Sequence, residues 1–173
     1  MPGKKQPAKK RATAAKSAKP KKADPAEARL DGFLANFSPE VENTARQALR
    51  KMRQRLPGAI ELVYDNYNAL AIGFAPTERA SDAIFSIALY PRWVSLFFLM
   101  NGTKLRDPER YLKGSGNVVR HIVLENAATL DDPVVQDLMA QALELSPKQI
   151  DAGQPRRLII KSVSAKQRPR QPA

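Results

Sequence analysis

His121 is the single histidine of the 173-residue chain, and Arg120 stands beside it. An imidazole that titrates near neutrality is the usual general base. That chemistry needs a nucleophile or an orienting carboxylate nearby, and the sequence supplies no such constellation. Adjacent strand residues face opposite ways, so Arg120 and His121 cannot serve the same face. His121 therefore reads first as a strand histidine at an edge or against a helix, and second as the base of a small enzyme. The most distinctive segment lies just upstream, residues 105–116, LRDPERYLKGSG. Lys113 precedes Gly114, Ser115 and Gly116, whose backbone amides can line an anion pocket, with Arg106 and Arg120 as neighbouring cations. The glycines lead into a strand, whereas a nucleotide phosphate loop leads into a helix N-terminus. The expected occupant is a small anion, and the expected activity is binding without catalysis.

Other polar residues have plainer readings. Glu61, Asp65, Asp82, Asp107, Asp131 and Asp132 would bind a hard cation only if loops gathered them, and their spacing matches no calcium loop. They read as turn residues, helix caps or solvent-facing strand positions. Tyr64 and Tyr67 can stack on a ring, but hairpin tyrosines usually pack. Arg46, Arg50, Lys51, Arg53 and Arg55 form a basic helix face, suited to phosphate or simply to solvent near a helix C-terminus. The chain has no cysteine, which excludes disulfides, thiolate metal sites and cysteine nucleophiles. No pattern asks for a cofactor.

The net charge of +12 is unevenly spread. Residues 1–23 carry nine cations, Lys4, Lys5, Lys9, Lys10, Arg11, Lys16, Lys19, Lys21 and Lys22, and no acid. Residues 148–173 carry seven against Asp151, so the middle of the chain is slightly acidic. Lysine, alanine and proline dominate the first 23 residues, which are too poor in apolar surface to offset the entropy of ordering and read as a disordered arm. Such an arm binds phosphate backbones nonspecifically by counterion release, with a salt slope near roughly −8 if all its charges engage. No run is long and apolar enough for a membrane span or a secretory signal. A cytoplasmic protein with nucleic acid as its partner is the expectation.

The elements that must position these residues follow from periodicity and caps. Asp24 and Pro25 start a helix with Glu27 placed for a capping exchange, and Leu30, Phe33, Leu34 and Phe37 form its stripe. Ser38 and Pro39 start a second, with Val41, Ala45, Leu49, Met52 and Leu56 buried. A period of two then marks a hairpin from Ile60 to Phe74, a third strand over residues 84–90, a fourth over 93–100 and a fifth over 118–124. The fourth, apolar on both faces, should be central. Asp131 and Asp132 open a last helix, striped by Val135, Leu138, Met139, Ala142 and Leu145. The fold class expected is α+β, an antiparallel sheet of about five strands with helices on one face. The domain spans 24–147, and the basic tail 148–173 carries at most one edge strand, within 156–164.

The segments YDNYNALAIGF (64–74), LYPRWVSLFFL (89–99) and LRDPERYLKGSGNVVRHIVL (105–124) resemble the YdhG-like family of bacterial domains of unknown function, over about residues 28–145. The resemblance implies an α+β sandwich. Some members of that family are likened to frataxin, which implies iron binding or delivery as the alternative activity. Where an acidic ridge would lie, this chain has only Glu27 and Asp31, and its second helix is basic.

Overall fold

The computed structural model describes residues 22–173. The expected arm therefore lies, apart from its last two residues, outside the described residues. Three helices and a six-stranded sheet make an α+β domain. Helix α1 is Pro25–Leu34, α2 is Pro39–Arg55 and α3 is Pro133–Leu145. Each begins at a carboxylate or hydroxyl that satisfies a free amide of the first turn. Asp24 accepts from Ala26 N at 2.9 Å, Ser38 from Val41 N at 3.4 Å and Asp132 from Val134 N at 2.8 Å, with proline next in all three. Glu27 makes no capping exchange; it reaches Arg53 and Arg156 instead.

The strands are β1 (Ile60–Asp65), β2 (Leu70–Ala75), β3 (Phe85–Leu89), β4 (Val94–Phe98), β5 (Arg120–Leu124) and β6 (Arg157–Val163), in the order β5-β4-β3-β2-β1-β6. Consecutive strands from β1 to β5 pair antiparallel, as expected. The sheet has six strands rather than five and is mixed rather than antiparallel, because β6 adds parallel to β1 at the far edge. The chain reaches that parallel register by passing through α3 first, as a crossover must. Two further expectations change. The fourth strand lies next to the edge strand β5, with β2 and β3 at the centre. Val118 and Val119 lie outside β5 and are exposed.

Alternate residues of the sheet meet all three helices in one apolar cluster that includes Leu30, Leu49, Leu138, Phe74, Phe85 and Phe98. Phe85 and Phe98 meet edge to face, 5.7 Å between centroids, the arrangement favoured by ring quadrupoles. The opposite face is lined largely by small residues, Ala71, Gly73, Ser86, Ala88 and Ser95 among them. At one end it is covered by the β2–β3 connection. Ala83 there packs with Ile60 and Leu62, while Glu78 holds Arg157 and Lys161 of β6.

Beyond β6 the chain does not run free. Arg168 N donates to Tyr67 O at 2.9 Å, and Arg170 enters the interior between Asp65, 2.6 Å away, and the Phe37 ring. No described helix is long and apolar enough to cross a membrane.

Candidate functional site

The basic face of α2 is largely neutralised. Arg46 bonds Asp31 at 2.7 Å and Glu42 at 2.9 Å, while Lys51 and Arg55 share Asp131 at 2.6 and 2.5 Å. The ammonium of Lys51 holds the Asp131 carboxyl below its usual range. Arg53 bonds Glu61 at 2.8 Å, and Arg156 joins the same carboxylate at 2.5 Å. Glu61 sits on β1 facing the helices with no solvent exposure. Burying a carboxylate costs several kcal/mol unless it is paired and hydrogen-bonded, and two guanidinium groups supply that pairing. Arg50 is the cation of this row without a carboxylate partner among the described residues, on the rim of a 260 Å³ groove between α1 and α2 floored by Leu30, Leu34 and Leu49.

The long β4–β5 connection is closed by its own residues. Gly102 is required because a Cβ there would stand 2.6 Å from Val118 O and 2.8 Å from Arg120 N. The Asp107 carboxylate accepts from the amides of Tyr111 and Leu112 at 2.9 and 2.8 Å. The Tyr111 hydroxyl donates to Asp132, the cap of α3, at 2.9 Å, which pushes the phenol pKa up. Arg106 binds α3 through its backbone, with both its N and its O bonded to Gln141. Lys113 and His121 exchange backbone hydrogen bonds, so a short bridge lies outside β5.

Of the six residues expected to bind an anion, the structure brings Gly114, Gly116 and Arg120 together. Arg120 Nη1 donates to the carbonyls of Gly116 at 2.5 Å and Val119 at 2.8 Å, and Gly114 lies against the same side chain with φ +122. The guanidinium thus meets carbonyl oxygens of the loop. Lys113 sits on the bridge, Ser115 is exposed, and Arg106 lies alongside α3. The side chains of Lys104, Arg106, Arg110 and Lys113 project from exposed positions with no ion pair among the described residues. His121 is half-buried, and its ring stacks on Phe97 at 5.1 Å, on the helix-free face.

Two strand turns and the segment after β6, remote in sequence, meet around a cleft. In the β3–β4 turn, Tyr90 N donates to Trp93 O at 2.9 Å, and the two rings stack at 4.9 Å and 21°. Trp93 remains 44% exposed, although the sequence placed it on a covered strand. In the β1–β2 turn Tyr67 is 48% exposed, and the Arg168 guanidinium lies 5.4 Å over its ring. A cleft of 460 Å³ opens between these groups, lined by Asn68, Tyr90, Pro91, Trp93 and Arg168. An aromatic on either side of a two-residue turn was a legible signal; the contribution of Arg168 was not. One row inward on the same face, the hydroxyls of Tyr64 and Ser95 are buried without hydrogen-bond partners.

Among the described residues no three His, Asp or Glu side chains gather to hold a metal ion. The six carboxylates considered from the sequence are each bonded within the fold. Asp65 pairs with Arg170, Asp82 with Lys148 and Thr77, and the other four with the partners already named. No family model, curated protein or solved structure matches the chain.

Proposed function

We propose that the protein is a non-enzymatic, cytoplasmic binding domain that attaches to nucleic acid through its phosphates, with sequence-independent affinity. Two groups of cations do this: the arm, Lys4 to Lys22, and the exposed Lys104, Arg106, Arg110 and Lys113 of the β4–β5 connection. The observation that carries the reading is the partition of charge. Cations of the helix layer are mostly tied to carboxylates, whereas those of the connection have no such partner among the described residues and are available to an anion. A surface that neutralises phosphates gains affinity by releasing condensed counterions, and this needs no base-reading element. Membership of the YdhG-like family belongs to the same reading and rests on the three sequence segments given for it.

The test is a fluorescence anisotropy titration of full-length chain and of a chain lacking residues 1–23 against labelled DNA and RNA at several salt concentrations. Loss of the arm should weaken binding and flatten the dependence of log K on log salt, by about 0.9 for each phosphate no longer neutralised. Equal affinity and equal slope for the two chains would rule out the arm. Absence of binding by either would rule out the function.

A further inference from the structure

The nucleic-acid reading above accounts for phosphates and leaves the aromatic cleft unused. Its volume of 460 Å³ falls within the roughly 300–1,000 Å³ common for small-molecule sites, and the other described clefts are near half that size. One wall is rigid: Pro91 fixes the turn, Tyr90 backs Trp93 as a stacked ring, and Trp93 remains 44% exposed. The other wall is cationic: Arg168 is held on the Tyr67 face and by its backbone bond to Tyr67 O, without a carboxylate partner among the described residues. Asn68 adds an amide able to donate and accept. Among the described residues no carboxylate lines the cleft, so none there repels a phosphate.

We propose that this cleft receives an unpaired base of single-stranded nucleic acid, with Trp93 as the stacking platform and Arg168 as the partner of the adjoining phosphate. The proposal rests on the nucleic-acid reading and adds to it a site that touches bases. Stacking on an aromatic suits a sequence-independent binder because every base offers a π-face, and guanidinium planes stack on bases as well. In duplex the base faces are occupied by their neighbours, so the cleft selects single strands.

Trp93 is the sole tryptophan of the chain, so its emission reports the surroundings of this one ring, which borders the cleft and a neighbouring groove that holds Glu40 and Glu125. Full-length protein is titrated with oligodeoxythymidine, with a DNA duplex of equal length, with inorganic polyphosphate and with a neutral oligosaccharide, and binding is followed in parallel by calorimetry. The single strand should bind and quench Trp93, while duplex and polyphosphate bind through the cations without quenching. Trp93→Leu should weaken the single strand about tenfold, as removal of one stacked base does, with polyphosphate binding unchanged. Arg168→Gln should weaken it several-fold. A single strand that binds without quenching and is held equally well by Trp93→Leu overturns the cleft while the phosphate reading stands. Quenching by polyphosphate or by the oligosaccharide also overturns it. Failure of every nucleic acid to bind overturns both.

Discussion

Two regions of this molecule are rich in arginine and lysine and behave differently. Along α2 and the start of β6, Arg46, Lys51, Arg53, Arg55 and Arg156 are spent on Asp31, Glu42, Glu27, Glu61 and Asp131. In the β4–β5 connection, Lys104, Arg106, Arg110 and Lys113 have no carboxylate partner among the described residues; of the two carboxylates among them, Asp107 is occupied by two backbone amides and Glu109 is exposed. The first region binds the fold together, and the second leaves its charge exposed. Composition alone makes the helix the more obvious phosphate surface; pairing reverses that order.

The largest effects should come from the two buried acids, Glu61 at the centre of the paired region and Asp65 near the end of the chain. Glu61→Ala leaves Arg53 and Arg156 side by side with Glu27 as their one remaining carboxylate, and breaking a buried pair costs about 3–5 kcal/mol. The partial exposure of both arginines places the loss toward the lower end, measurable as a drop in the urea midpoint. Arg170→Ala acts on the second. It strands the buried Asp65 carboxylate and releases the end of the chain from Phe37, a loss of about 3–5 kcal/mol by the same argument. Retention of wild-type stability by this variant would show that the segment after β6 is not part of the folded unit.

Ser95→Ala should move stability the other way. Its hydroxyl is buried with no partner, and an unsatisfied buried polar group costs about 1–3 kcal/mol, so removal should raise the midpoint or leave it unchanged. A smaller effect is expected in acid. Asp82, bonded by Lys148 and then Thr77, and Asp131, bonded by Lys51, are both held below the ordinary value of 3.8. A depressed folded pKa means that the contribution is complete above the unfolded value and is lost as pH falls through the folded one. Stability should therefore decline below about pH 4, and Asp82→Asn with Asp131→Asn should shallow that decline. An unchanged acid limb would show that these surface pairs contribute nothing measurable.

The sequence made the local parts of the fold readable. Asp24, Ser38 and Asp132 mark helix starts because a side-chain acceptor followed by proline is a purely local signal, and the strands from β1 to β4 follow from alternation and turns. What stayed hidden depends on pairing across distance. The parallel addition of β6 to β1 needs partners from opposite ends of the chain, and the resting place of Arg170 beside Asp65 has no periodicity to announce it. The fourth strand looked central because it is apolar on both faces. It lies beside the edge because Phe97 is covered by His121 of β5, while Trp93 serves the cleft instead of the core. Within the expected anion site, the glycines signalled a chain reversal, and residues 114–120 form the loop between the two sides of the Lys113–His121 bridge. Which way Arg120 would point, toward loop carbonyls, was beyond any motif.

The most direct test compares the two cationic regions in one titration. Full-length chain is measured against DNA over a range of salt beside two variants, one with Lys104, Arg106, Arg110 and Lys113 changed to glutamine, the other with Arg46 and Lys51 changed to glutamine. The first should flatten the salt slope by up to about 3.6 units, near 0.9 for each phosphate released, and the second by less than about one. Equal flattening per charge in the two variants, or a larger effect from the helix pair, would contradict the claim that pairing decides which cations this protein offers to its partner.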